Sequence, residues 1–196
     1  MATLLKIQTS LFQGDGQSSQ LAEQFARNWQ ARNPDGRVVS RDLAAEPVPH
    51  LDAQRFQAFI TPPDERTAEQ REMVKLSDSL VEEIAGADVL VLGVPMYNFS
   101  IPSTLRAYFD HIARAGITFR YTPEGPEGLL KNKKAYVFIT RGGFYGEDHS
   151  QTALLRQFLG FIGIADVEFV HAEGMAVEDA REGSLAAARD RIAQLA

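Results

Sequence analysis

The sequence predicts an α/β fold, a doubly wound five-stranded parallel sheet in the order 2-1-3-4-5 with helices on both faces. Three observations predict it. Short β-branched apolar runs alternate with amphipathic stretches along the chain, the pattern of strand–helix–strand units joined by right-handed crossovers. The run Val89-Leu90-Val91-Leu92-Gly93-Val94 is apolar without a break, as expected of a central strand covered on both faces. Turns follow the first, third and fourth strands, the first and last rich in Gly or Ser and the middle one in aromatic residues. Of the doubly wound orders, 2-1-3-4-5 uses five strands and makes those three neighbours, with the switch point between the first and third.

Taken in order, Thr3 to Thr9 is the first strand, with Leu4, Leu5 and Ile7 apolar, and Ser10 to Gly16 is a loop. Gln17 to Arg32 is a helix whose apolar stripe is Leu21, Ala22, Phe25, Ala26 and Trp29, a period of 3.6 residues that assigns the single tryptophan to the core. Arg37 to Leu43 is the second strand. Ala44 to Arg66 carries Pro47, Pro49, Pro62 and Pro63 around a short helix near Leu51 to Phe59; connectors of that length tend to be functional or to cover something. Thr67-Ala68-Glu69-Gln70 is a capping box opening a helix that runs to Ala85, with Met73, Leu76, Leu80 and Ile84 on one face. The third strand, Asp88 to Val94, ends at Pro95, which has no N–H for the ladder. After the turn Met96 to Ile101, Pro102, Ser103 and Thr104 start a helix with Leu105, Tyr108, Phe109 and Ile112 apolar. Gly116 to Thr122 alternates, placing Ile117, Phe119 and Tyr121 on one side, and Pro123 to Gly128 is a turn-rich loop. Lys134 to Thr140 and Asp166 to Ala172 are the last strands. Gln151 to Ile162 and Glu178 to Leu195 are the last helices, the final one striped by Leu185, Ala188, Ile192 and Leu195. No repeat, low-complexity segment or linker divides residues 1–196, so one domain is expected.

Composition narrows the function. A net charge of -6 is wrong for a nucleic-acid binder, and no apolar run reaches the roughly 18 residues of a membrane span. The N-terminus lacks the pattern of a signal peptide, which reads as cytoplasmic. With no cysteine there is no disulfide, thiolate metal site or Cys-x-x-Cys chemistry, so redox activity would reside in a bound cofactor. His50, His111, His149 and His171 show no metal-ligand spacing, and no metal is expected.

The three loops converge at the carboxyl end of the sheet, where open α/β folds bind ligands. The first, Ser10-Leu11-Phe12-Gln13-Gly14-Asp15-Gly16-Gln17-Ser18-Ser19, ends at a helix N-terminus, an anion site by its unpaired N–H groups and dipole. No Lys or Arg lies between Lys6 and Arg27, so it is not a P-loop, and Ser19 breaks a Gly-x-Gly-x-x-Gly pattern. A helix cap at Ser18 or Ser19 is the plainer reading. The second, Pro95 to Phe99, offers the thioether of Met96, the rings of Tyr97 and Phe99 and the amide of Asn98; an ordinary strand-to-helix turn is the alternative. The third, Thr140-Arg141-Gly142-Gly143, lets backbone approach a ligand, or is a plain turn. Together they suit a mononucleotide with a large flat ring, and FMN is the candidate.

The chain resembles the FMN-dependent NADH-azoreductase family, also described as FMN-dependent NADH:quinone oxidoreductases, which is flavodoxin-like. The segments that carry the resemblance are Pro95-Met96-Tyr97-Asn98-Phe99, Ala113 to Tyr121, Arg141-Gly142-Gly143 and Phe158-Leu159-Gly160-Phe161-Ile162-Gly163. The resemblance implies that Ser10, Gln17 and Ser18 hold phosphate and ribityl, that Met96, Tyr97, Asn98 and Phe99 line the isoalloxazine, and that Thr140, Arg141, Gly142 and Gly143 lie on its other edge. It implies NADH as donor, quinones and azo dyes as acceptors, and a homodimer with FMN at the interface. Gly16 stands where the family pattern often has serine, Thr140 where serine is common, and Asp15 adds a negative charge that must point away from phosphate.

In such chemistry a hydride passes from NADH to the flavin, and a quinone or azo compound then replaces NAD and takes two electrons, a ping-pong scheme. No acid–base pair is needed. An apolar slot over the ring is, and Phe99, Phe119, Tyr121 and Phe161 are its candidate walls; Phe161 is equally explained as core. A flavodoxin-type electron carrier, expected to be smaller and monomeric, fits poorly with the extra segments Ala44 to Arg66 and Gly116 to Gly128. A non-enzymatic flavin-binding regulator is the other alternative.

Overall fold

The computed structural model describes residues 1–195. Its elements are β1 (Thr3–Gln8), α1 (Gln17–Arg32), β2 (Arg37–Asp42), α2 (Ala53–Ile60), α3 (Ala68–Ala85), β3 (Val89–Pro95), α4 (Ser103–Ile112), β4 (Phe119–Thr122), β5 (Gly125–Gly128), β6 (Lys134–Thr140), α5 (Ser150–Phe161), β7 (Asp166–Ala172) and α6 (Glu178–Leu195). Five strands form one sheet in the order β2-β1-β3-β6-β7, every neighbouring pair parallel. With the small antiparallel β4–β5 hairpin set aside, this is the expected 2-1-3-4-5 order.

Successive side chains of a strand point to opposite faces, and the core divides accordingly. Leu5, Ile7, Leu90, Leu92 and Val94 join residues of α3, α4 and α5 in one apolar cluster. Leu4, Val91, Tyr136 and Phe138 join the stripes of α1 and α6 in a second. Trp29 is buried there, as its position in the stripe requires, with its ring packed against the backbone of Gly36.

Local chemistry sets the helix ends. The Thr67 hydroxyl accepts from Gln70 N–H while the Gln70 side chain accepts from Thr67 N–H, so the capping box forms as read. Asp52 caps α2 through Arg55 N–H at 2.8 Å.

Three segments differ from expectation. Of Gly116 to Thr122 only Phe119–Thr122 is a strand, because the N–H groups of Ile117 and Thr118 turn back onto Arg114 O. The Pro123 to Gly128 loop is half strand: Gly125–Gly128 pairs with Phe119–Thr122, closed by Thr122 Oγ1 donating to Gly125 O at 2.8 Å. On α3 the inward residues are Val74, Ser77, Leu80, Val81 and Ile84, whereas Leu76 is exposed. The apolar-only stripe misses this because Ser77 faces inward for a polar reason, its hydroxyl donating to the backbone carbonyl of His111 at 2.6 Å.

Candidate functional site

β1, β3 and β6 are consecutive in the sheet, so the loops leaving their carboxyl ends meet. Ser10, Phe12, Gly16, Gln17, Ser18, Pro95, Met96, Tyr97, Thr140, Arg141, Gly142 and Met175 line one cleft of about 190 Å³. All three predicted loops contribute to it. Asn98 and Phe99, in the turn that continues from Tyr97, do not line it in one chain; Asn98 lines a neighbouring cavity with Tyr97 and Leu11.

The first loop makes a 3-10 turn at Gln13–Asp15 before α1. The helix presses its first turn onto β3, and only a glycine allows this: a Cβ on Gly93 would lie 2.7 Å from the Ser18 carbonyl oxygen. The helix is capped by no side chain. Ser18 and Ser19 are buried with hydroxyls that have no hydrogen-bond partner among the described residues. The helix-cap reading of these serines is therefore wrong: they lie inside the first turn, past the cap position held by Gly16. A buried hydroxyl without a partner costs about 1–3 kcal/mol, so its retention at a helix N-terminus lining a cleft marks a place for an acceptor.

Gly16 also has a local reason. A Cβ there would lie 2.5 Å from Ser10 Cβ and 2.1 Å from Ser10 Oγ, so Ser10 occupies the space that a side chain at 16 would take. Asp15 is exposed and lines a separate surface cavity with Lys6, Gln20 and Arg27, pointing away from the cleft as its charge demands.

Tyr97 ties the second loop to the first: its hydroxyl accepts from Leu11 N–H at 3.1 Å and lies 3.4 Å from Ser10 Oγ. Met96 N–H donates to Thr140 O at 2.8 Å, tying the second loop to the third. The turn itself is closed by reciprocal bonds between Tyr97 and Ser100, both 3.1 Å. Its two central residues, Asn98 and Phe99, have φ of 49° and 65°. Asparagine tolerates the left-handed region; phenylalanine does so rarely. The Phe99 ring is 65% exposed, so packing does not explain the conformation. Backbone strain of this kind clusters at ligand clamps and active sites.

In the third loop the role expected of Arg141 changes. Its side chain is 1% exposed and turned away from the cleft. It donates to Gln151 Oε1 at 3.0 Å, Thr152 Oγ1 at 2.7 Å, Gly146 O at 2.6 Å and Glu173 Oε1 at 2.8 Å. Its N–H and C=O are paired with Ala172 and Met175. What the loop offers a ligand is the N–H groups of Gly142 and Gly143, which have no partner among the described residues, and the Thr140 side chain. Burial pushes the Glu173 carboxyl up, but Arg141 and the N–H groups of Gly146 and Tyr145 outweigh it and hold it below the usual carboxylate value.

Of the four aromatic residues expected to wall the slot, the structure brings only Phe99 to this end of its own chain. Phe119 packs on Phe161 with ring centroids 4.3 Å apart and on Tyr121 at 5.5 Å, beside the β4–β5 hairpin. α4 and α5 run antiparallel to the strands, so residues at their carboxyl ends lie at the amino end of the sheet. The hydrogen bond from Leu130 N–H to Ile162 O, close to the start of β6, shows this. The seven residues of β6 span roughly 20 Å at about 3.3 Å each, and that distance separates the hairpin base from the cleft. Sequence reasoning grouped these rings by type and could not see the reversal of chain direction.

Sequence reasoning also missed Phe12, Met175 and the aromatic loop Phe144-Tyr145. Met175 follows β7, whose carboxyl end adjoins that of β6, so the switch-point argument extended by one strand reaches it.

Comparison with known proteins decides the family. A family model described as "Flavodoxin-like fold" matches residues 2–196. An FMN-dependent NADH:quinone oxidoreductase of Cellvibrio japonicus (strain Ueda107) is 53% identical over 196 residues, covering 99% of this chain and 98% of that protein. This chain belongs to the FMN-dependent NADH:quinone oxidoreductases, within the flavodoxin-like fold. A relative of the same description from Burkholderia pseudomallei (strain K96243) is 52% identical, with 98% of this chain and 99% of that protein covered. Among solved structures, an azoreductase from Bacillus anthracis str. Sterne superposes with a TM-score of 0.91 at 29% identity, over 100% of this chain and 98% of that one. An FMN-dependent NADH-azoreductase from Bacillus anthracis str. Ames Ancestor, solved in complex with FMN, gives 0.88 at 25% identity over 100% of both chains. The family membership expected from Met96 to Phe99 and Arg141 to Gly143 is thus borne out.

Proposed function

We propose that this protein passes two electrons from NADH, through bound FMN, to quinones and to aromatic azo compounds, cleaving the latter to amines. The unpartnered Ser18 hydroxyl, buried at the helix N-terminus in the one cleft where all three loops meet, carries the reading. The names of its close relatives supply the donor and the quinone; those of its structural neighbours supply the azo compound.

When bound, FMN supplies hydride acceptance and two-electron delivery, chemistry that no side chain here provides. The residues bind and orient it. Ser10, Gln17 and Ser18, with the first-turn N–H groups of α1, hold the phosphate and ribityl. Met96, Tyr97, Asn98 and Phe99 line one edge of the isoalloxazine; Thr140, Gly142 and Gly143 line the other, with Arg141 acting from behind. One shared slot beside these loops would serve donor and acceptor in turn, and sharing it predicts ping-pong kinetics.

The 1–196 chain works as one doubly wound flavodoxin-like domain, supported by core clusters on alternating residues of the same strands. It works as a homodimer. In one chain the Phe119–Tyr121–Phe161 cluster lies far from the cleft, with Tyr121 76% exposed, and a second copy of the hairpin supplies the missing wall. The reading puts it in the cytoplasm, where NADH is at hand as donor; no helix among the described residues is long and apolar enough to cross a membrane.

Absorption spectra of the purified protein test this. A flavin spectrum bleached by NADH without oxygen and restored by a quinone is expected, with parallel initial-rate lines when NADH and quinone are varied together. Bound flavin that NADH leaves oxidised would refute the enzyme reading. Intersecting lines would refute the shared face.

A further inference from the structure

The loop after Gly143 lies outside the residues lining the cleft, yet its contacts are specific. Phe144 is exposed, and its ring lies where a Cβ on Gly174 would be, 2.6 Å away; Gly174 has a φ of 72° that suits glycine. The Tyr145 ring folds back over Gly143, whose added Cβ would approach it at 3.2 Å. It stands edge-on to Phe99, with centroids 6.1 Å apart at 83°, and against His149 at 5.1 Å. Tyr145 therefore bridges the second and third cofactor loops.

What fixes that bridge is buried charge. Glu173 accepts N–H bonds from Tyr145 and Gly146, each 3.1 Å, and the ion pair with Arg141 at 2.8 Å. Arg141 in turn donates to Gly146 O. Both ends of the Tyr145–Gly146 segment are thereby pinned to the root of the third loop. Gln151 extends the network to the second loop, accepting from Arg141 and donating to Pro95 O at 3.2 Å. A buried guanidinium bonded at all three nitrogens is held in one geometry even where the net stability of the pair is small.

We infer that Glu173 and Arg141 are positioning residues that hold Tyr145 as a wall of the ring slot and thereby set how tightly a flat aromatic acceptor is gripped. The inference rests on the proposed oxidoreductase reading. A wall that moved with an untethered loop would give part of its stacking contact back as disorder, whereas a pinned one keeps it.

The test compares wild type, Glu173→Gln and Tyr145→Ala, with FMN-free and FMN-loaded protein, NADH and 1,4-naphthoquinone. Glu173→Gln keeps one acceptor oxygen but loses the ion pair and the second oxygen. Amide exchange at Tyr145 and Gly146 should rise about tenfold or more in the FMN-free protein. KM for naphthoquinone should rise about threefold to tenfold, as for loss of one aromatic contact, while the FMN dissociation constant moves less than twofold. Tyr145→Ala should give the same rise in KM, and it decides the matter if Glu173→Gln fails to fold. Unchanged exchange in Glu173→Gln, unchanged KM in Tyr145→Ala, or a loss of FMN affinity matching the rise in KM would overturn the inference. The last would reduce the pair to support for the cofactor loops. Failure of the function reading itself is separate: it shows in wild type, as absent flavin or absent NADH oxidation, whereas the exchange arm needs neither.

Discussion

Replacing Ser18 by alanine should have effects of opposite sign on the two forms of the protein. In the FMN-free form the Ser18 hydroxyl is buried and bonded to nothing. Its removal takes away an unsatisfied group and leaves a void of one oxygen atom, so the apo protein should hold its stability or gain about 1 kcal/mol, a rise of about 2–4 °C in Tm for a chain of this size. With FMN bound the same oxygen donates to a phosphate. A hydrogen bond to a charged group contributes about 1.5–3 kcal/mol, so FMN affinity should fall by about tenfold to 150-fold. No cation can compensate, because no Lys or Arg lies between Lys6 and Arg27 and the Arg141 guanidinium is committed elsewhere. Riboflavin, which has no phosphate, should bind wild type and variant alike. Ser19→Ala is the control: its hydroxyl is equally unpartnered but does not line the cleft, so FMN affinity should be unchanged. Flavin fluorescence titration and thermal melts read both quantities. A destabilised apo protein with full FMN affinity would refute the reasoning and make Ser18 a structural residue.

Phe99→Gly should stabilise the fold by about 0.5–1 kcal/mol, because it relieves a left-handed phenylalanine whose exposed ring packs little, while weakening acceptor binding; a urea midpoint that falls would show the ring to be packed after all. His111 is buried beside Phe59 with neither ring nitrogen bonded among the described residues. Burial pushes its imidazole below the usual histidine value, with the nearby Pro49 carbonyl and Asp110 opposing and Arg55 and Arg114 assisting. The folded state then favours the neutral ring, so stability should fall as pH drops below about 6.5 and the unfolded chain takes up the proton. His111→Phe should lessen the difference in urea midpoint between pH 7.5 and 5.5, and an unchanged difference would reject this. Sedimentation at micromolar concentration should show a dimer, with Ala44 to Arg66 and α4 at the interface; a fully active monomer would exclude it.

The fold was legible because its signals are local and repeated. The stripe from Leu21 to Trp29, the unbroken Val89 to Val94 run and the Thr67–Gln70 box each state an element within a few residues, and parallel topology follows from their alternation. The cleft was legible for the same reason: Ser18, Met96 and Gly142 sit on loops whose convergence needs only the strand order. The direction of a side chain was not. Arg141 reads as a ligand beside two glycines, and only the contacts with Glu173, thirty-two positions on, show it turned inward. Phe119 and Phe161 have the right chemistry at the wrong end of their own chain, a fact of topology that residue type does not encode. Ser77 hides an inward face behind a polar name.

The phosphate seat proposed for the cleft, built from neutral donors at the start of α1, bears on which molecules would compete for it in a cell. A site made of lysines would draw any polyanion, and the abundant nucleoside triphosphates most of all. Here every added phosphate would bring charge with no free counter-ion among the cleft's lining residues to receive it, the Arg141 guanidinium being paired with Glu173. The seat favours the monoester by leaving the others unrewarded. Its grip should also change little with ionic strength, since salt has no ion pair there to screen. A cofactor held this way stays held while the surrounding pool of phosphates and ions rises and falls.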